Sequence, residues 1–298
     1  MARMLGGGLA VLVLVVLAPS VACAESHACA DRATPRWLAR ATLGLSLVPF
    51  GAEIQARGAA CVPLYPRSGD WFDGAKLEVG VLMALSPVYV QGGGYVQLTP
   101  TNLVSFRLEA VGIDYWPLPL DGAGYYALPS ADTPRNETTL AAALGQSATG
   151  YTLRAVTVLQ ATLPIDPLAL LVQSTFFGEH TEIGPGDYFV NLQVDQIQRR
   201  ADLVFGNDSV LVLEIPMALT GGPSIRIGGY ESYRHVLATG GSGNQAGAVA
   251  VLGWSHLVPE IPWLEVGLRG GGYTYHPIRT GEFTLAAWCS IELDLGPI

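Results

Sequence analysis

Charge is scarce in this 298-residue chain, and lysine is nearly missing. Asp, Glu, Lys and Arg make up 14% of the residues, against about a quarter in a soluble globular domain. Lys76 is the one lysine, and the arginines are scattered along the chain. A formal net charge of −9 without a basic cluster excludes nucleic-acid binders, which hold phosphates through Lys and Arg. The same scatter excludes a polybasic membrane patch. With 50% hydrophobic residues the chain is also no disordered polymer, which combines low hydrophobicity with high charge.

Long apolar runs are missing too. A membrane-crossing helix needs roughly 18 or more consecutive apolar residues, and only the N-terminus comes close. There Arg3 precedes the apolar run Leu9 to Ala18, and Ala22-Cys23-Ala24 follows. A positive start, a short apolar core and a small-residue site are the parts of a secretory signal peptide. Residues 1–24 are therefore expected to be a signal peptide cleaved after Ala24. A retained anchor and a lipoprotein linked through Cys23 are the rival readings. Residues 25–298 then form the exported domain, which holds no helical span and must bury its apolarity another way.

Catalytic signatures are absent as well. His180-Thr181-Glu182 stands without a Cys pair, and neither H-E-x-x-H nor G-x-S-x-G occurs. Ser255 and His256 are sequence neighbours, so on a strand they point to opposite faces, a poor start for a nucleophile and base. No C-x-x-C or Cys/His array suggests zinc. The expectation is no catalytic residue, no metal and no cofactor.

What the sequence does contain is alternation. In Ala75 to Leu85, Leu77, Val79, Val81, Met83 and Leu85 share one parity, while Lys76, Glu78, Gly80, Leu82 and Ala84 share the other. Period-two patterning places the two sets on opposite faces of a strand. Val88–Leu98, Leu103–Tyr115, Tyr151–Leu163, Leu168–Glu179 and Tyr188–Gln196 read alike. So do Ser209–Ile215, Ser224–Tyr233, Gln245–Ser255, Trp263–Tyr275, Phe283–Leu295 and Ile54–Leu64, with Thr42–Val48 a weaker case. The expected fold is all-β: one domain, residues 25–298, built as a single antiparallel transmembrane β-barrel of about 12 strands, within a range of 12–14. Thr138 to Leu144 is the one place where two helical turns are expected, inside the longest connection.

A soluble sandwich also alternates, but its polar faces meet water and are richly charged. Here each polar face carries one or two charges among Gly, Tyr, Gln and Thr, too few to keep twelve strands soluble. In a membrane barrel the Val/Leu/Phe parity takes the lipid and the polar parity lines the lumen, while closure satisfies every backbone group. Trp116, Tyr151, Tyr188, Phe189, Trp254, Trp263 and Trp288 fall near strand ends, where interfacial girdles form. On leader, glycine-rich alternating strands and acidic balance, the chain resembles bacterial outer-membrane β-barrel proteins. It departs from them in ending Leu295-Gly296-Pro297-Ile298, where such barrels commonly finish on an aromatic residue.

The resemblance implies the cell outer membrane as location and its lipid as partner. Periplasmic or secreted placement is the alternative, as a soluble sandwich or lipocalin-like binder. Lys76, Glu78, Arg107, Glu109, Arg154, Arg226, Glu265, Arg269, Glu292 and Asp294 are the candidate lumen-facing residues. They imply either a charge-paired filling that stiffens a small barrel or a pathway whose arginines select anionic solutes. The expected role is a narrow channel or a structural or surface protein without catalysis; a barrel enzyme acting on lipid is the alternative. A small solute is the candidate cargo, nucleic acid is excluded, and the oligomeric state is left open. Of the exported cysteines, Cys29 and Cys61 are the expected disulfide. Cys289 shares parity with Leu285, Ile291 and Leu293, opposite to that of Cys61 with Gln55 and Arg57, which disfavours a bond between them.

Overall fold

A computed structural model describes residues 29, 34–47, 50–64, 72, 74–117, 124–133, 145–217 and 223–298. The expected signal peptide lies outside the described residues, as do the turns expected at Thr138 to Leu144. Fifteen strands follow in chain order: β1 (Arg36–Leu47), β2 (Phe50–Pro63), β3 (Lys76–Ser86), β4 (Tyr89–Thr101), β5 (Val104–Tyr115), β6 (Ala127–Leu128), β7 (Ala148–Ile165) and β8 (Leu168–Ile183). Then come β9 (Tyr188–Asn191), β10 (Gln196–Arg199), β11 (Ala201–Pro216), β12 (Pro223–Val236), β13 (Ser242–Val258), β14 (Ile261–Tyr275) and β15 (Phe283–Pro297).

Twelve of these close into one barrel in the order β1-β15-β14-β13-β12-β11-β8-β7-β5-β4-β3-β2. Every neighbouring pair is antiparallel, and β1 meets β15 through Thr42↔Ser290 and its flanking pairs. The short β6, β9 and β10 form a separate sheet, ordered β10-β9-β6. Closed barrel topology rules out the two-sheet sandwich. Twelve strands were expected, but by a different tally. Tyr188–Gln196 alternates like a barrel strand yet folds as a hairpin, whereas the weak Thr42–Val48 pattern belongs to β1, a full member of the wall.

Alternation sorts the side chains as a membrane demands. Val79, Val81, Met83, Leu108, Leu153 and Leu268 point outward and are exposed, Val81 and Leu108 at 66% each. Lys76, Glu78, Gln91, Gln97, Glu179 and Glu265 point inward and are buried. Polar groups that do face outward satisfy one another. Asn207 donates to Ser174 at 2.8 Å, Ser209 donates to Asn207 at 2.9 Å, and the two serine hydroxyls lie 2.9 Å apart. A closed triangle of this kind leaves no bare donor in hydrocarbon, where each would cost several kcal/mol. The aromatic belt needs correction: Tyr151 is exposed, but Trp288 and Phe189 are buried inside the barrel. Parity, which strand-end position alone ignores, sends these two inward.

The two ends differ. At one, the turns include Asn102-Leu103, Asp166-Pro167 and Pro259-Glu260, and the strand termini Arg36 and Pro297 pair there. At the other, residues 116–147 and 184–200 make long connections. Cys29 is bonded to Cys61 at the turn end and packs with the inward-facing Leu38. The segment preceding β1 is thereby stitched to the inner wall. Cys289 is a free, exposed thiol.

Candidate functional site

The lumen is closed at the loop end by the β9–β10 hairpin, which leaves the wall after β8 and returns into β11. Val190↔Ile197 and Phe189↔Gln198 hold its two arms together, and β6 adds Ala127↔Phe189 on the far side. Phe189, Val190 and Leu192 are at most 1% exposed. They pack with Val88, Tyr89, Ile113, Tyr115, Tyr125 and Ile183, an apolar collar at this end. Burying such side chains is worth roughly 1.5–3 kcal/mol each, so the hairpin is a packed part of the molecule. Tyr125 donates its hydroxyl to the Pro185 carbonyl at 2.9 Å. Burial pushes that phenol up to about 12.

The hairpin tip reaches further, down to Val156, Phe177, Val204 and Val236, among which Val194 packs. Next to it, Asp195 takes a left-handed backbone (φ 55°), a conformation in which Asp is enriched among non-glycine residues. Its carboxylate accepts from Arg279 Nε at 2.8 Å and from the Tyr273 hydroxyl at 3.0 Å. His276 Nε2 lies 2.9 Å from the Asp195 carbonyl oxygen. Because His276 Nδ1 accepts from the backbone N–H groups of Ile278 and Arg279, the imidazole proton belongs on Nε2, where it donates to Asp195. Burial alone would pull the Arg279 guanidinium down, but Asp195 beside it outweighs this and holds it above its ordinary range. One residue of the plug thus collects three groups from β14 and the connection that follows it.

Below the tip lies a cavity of about 150 Å³. The ten candidate lumen residues all lie on the inner parity but do not converge on one point. Lys76 pairs with Glu78 at 2.8 Å, Arg107 with Glu109 at 2.6 Å, and Arg154 stands 3.7 Å from Glu179. Glu292 pairs with Arg40 at 2.6 Å and Asp294 with Arg36 at 2.7 Å. Nearer the turn end, Arg226 pairs with Glu214 at 3.1 Å, and Glu265 accepts from the indoles of Trp288 and Trp263 at 3.1 and 3.2 Å. Arg269 lies over the Tyr230 ring, 5.2 Å from its centroid.

Of the candidates, Lys76, Glu78, Arg107, Arg154 and Glu292 line the main cavity, joined by Arg40, Arg57, Asp208 and Arg234. Those four escaped the sequence reading, although Arg57 shares parity with Gln55, and Asp208 and Arg234 sit on alternating strands. The Asp195–Arg279–His276 cluster gave no signal, because contacts between a hairpin and a distant connection have no sequence period. Two glycines make room inside. A side chain at Gly206 would run into the Phe177 ring, and one at Gly267 into the Trp288 ring. Phe177 in turn carries the guanidiniums of Arg154 and Arg234 at 4.3 and 4.7 Å.

A hydroxyl–imidazole contact occurs elsewhere: His235 Nδ1 lies 2.8 Å from Ser242 Oγ. The pair is on the outward face at the loop-end rim. Among the described residues no printed bond orients the imidazole from its other side, which leaves it short of a nucleophile, base and orienter.

No protein-family model and no curated protein sequence matches the chain. Solved structures do resemble it in fold. The β domain of the Bordetella autotransporter BrkA has a TM-score of 0.52 at 10% identity, covering 87% of this chain and 99% of that one. LpxR from Salmonella typhimurium has 0.40 at 11% identity, covering 86% and 99%. An outer membrane channel from Pseudomonas putida F1 has 0.38 at 10% identity, covering 88% and 96%. At such identities the likeness is one of fold. Together with the outward apolar band and the closed sheet, it makes this protein an outer-membrane β-barrel.

Proposed function

We propose that this barrel is a narrow, non-catalytic channel held shut at its loop end by the β9–β10 hairpin. The observation that carries the reading is the hairpin itself, seated across the lumen on Asp195 above a polar cavity. A barrel that served only as a rigid wall needs no tethered plug over an unfilled, charged space. In such barrels short turns face the periplasm and long loops the exterior, which puts the hairpin at the outer mouth. The outer-membrane lipid is the partner of the wall, and a small solute is the cargo of the lumen. The His235–Ser242 contact, lacking an orienting third group, supports a role without catalysis.

Planar-bilayer recording tests this. The intact protein should show little or no steady conductance. Replacing residues 188–199 by a short Gly-Ser linker should produce a stable, small-conductance pore. If the replaced protein, shown to be folded by its heat-dependent gel shift, remains silent, the lumen is filled rather than gated. A large constant conductance in the intact protein would equally reject the plug.

A further inference from the structure

The inner wall below the hairpin carries a cation that its carboxylates do not neutralise. Four carboxylates there are closely paired: Glu78 with Lys76 at 2.8 Å, Glu292 with Arg40 at 2.6 Å, Asp208 with Arg234 at 2.9 Å and Glu109 with Arg107 at 2.6 Å. Arg57 and Arg154 are then left with Glu179 between them. Arg57 comes no nearer a carboxylate than 3.8 Å, from the already paired Glu109. Arg154 stands 3.7 Å from Glu179, which also accepts from the Thr181 hydroxyl at 3.2 Å. The buried Nε of Arg154 makes no hydrogen bond. A desolvated guanidinium without a full set of acceptors is costly, and that cost is relieved when an anion arrives.

Position strengthens the case. A second, smaller cavity of about 50 Å³ adjoins the first, and Gln55, Arg57, Arg154, Glu179 and Gln193 line both. Arg57 comes from β2, Arg154 from β7 and Gln193 from the hairpin tip, so wall and plug meet at this point. The Arg154 guanidinium is held against the Phe177 ring at 4.3 Å, which keeps its fork in a fixed plane. Planar forks recognise phosphate and carboxylate groups through paired N–H donors.

We propose that Arg57 and Arg154, with Arg107 behind them and the Gln193 amide above, form a seat for a small oxyanion. This deepens the channel reading by naming the solute class, and it rests on that reading for transport though not for binding. An oxyanion seated there would touch both the wall and the plug, so its arrival would bear on how firmly the hairpin sits.

Two measurements separate the claims. Calorimetric titration of the detergent-solubilised protein with inorganic phosphate should show saturable binding. R57Q and R154Q should each weaken it by about ten- to a hundredfold, the loss of one charge-assisted contact, and R57K should recover only part. R226Q, at the turn-end pair, should leave it unchanged. The heat-dependent gel shift of each variant confirms that it is folded. In the second measurement, the hairpin-replaced protein in a KCl gradient should give an anion-selective reversal potential that R57Q and R154Q move toward neutrality. Saturable phosphate binding without conductance would sink the channel and keep the seat. Conductance without phosphate binding or anion preference would sink the seat and keep the channel. Unchanged phosphate affinity in both folded glutamine variants would overturn the proposal outright.

Discussion

Exchanging Asp195 for alanine is expected to unseat the hairpin while the barrel stays folded. The carboxylate is 4% exposed and receives Arg279 at 2.8 Å and Tyr273 at 3.0 Å. Removing one partner of a buried ion pair costs about 3–5 kcal/mol, because the other charge is left uncompensated. Alanine also tolerates the left-handed backbone poorly, at roughly 1–2 kcal/mol. None of these groups belongs to the hydrogen-bonded ladder that closes the wall, so the loss falls on the plug. Arg199 and Arg200, exposed where the hairpin returns to β11, provide the readout. Trypsin should cut there slowly in the wild type and rapidly in Asp195→Ala, with the rest of the barrel resistant. Asp195→Asn should fall between, since the amide keeps one acceptor and fits the same backbone but loses the charge. Equal cleavage rates in all three would show that Asp195 does not hold the plug.

Placing arginine at Val81 is expected to destabilise the barrel by about 2–4 kcal/mol, the cost of a cation at the bilayer midplane. Val81 is the central residue of β3 and is 66% exposed on the outer face. Ile165, also outward but next to the Asp166-Pro167 turn, should tolerate the same change for about 0–1 kcal/mol, because the penalty falls toward the interface. Urea unfolding in lipid bilayers, followed by the gel shift between folded and unfolded forms, gives both values. Equal penalties at the two sites would mean that depth does not govern them, and that β3 does not cross the membrane at its centre.

The wall was legible because a barrel strand solves one problem, lipid on one side and lumen on the other. Val79, Val81 and Met83 against Lys76, Glu78 and Gly80 state that solution residue by residue. The same code misplaces Tyr188–Gln196. Val190, Leu192 and Val194 alternate with Asn191, Gln193 and Asp195 as in a wall strand, yet here the apolar set meets the inner collar. Period two reports that one face is buried, not what buries it. Trp288 fails for a related reason. Strand-end position suggests the girdle, but its indole lies in the space left by Gly267 and donates to Glu265 at 3.1 Å. The lumen charges could be named singly from parity. Their partners could not, because Arg40 and Glu292 lie 252 residues apart and meet only once the sheet has closed.

The most direct test of a lumen shut by a seated hairpin is hydrogen exchange on residues 188–199 of the wild-type protein in lipid nanodiscs. A plug paired through Phe189↔Gln198 and Val190↔Ile197, packed against Tyr89 and Tyr115, should keep those amides protected for minutes to hours, nearly as long as the neighbouring wall strands β8 and β11. Complete exchange of the segment within seconds, while β8 and β11 stay protected, would contradict the account.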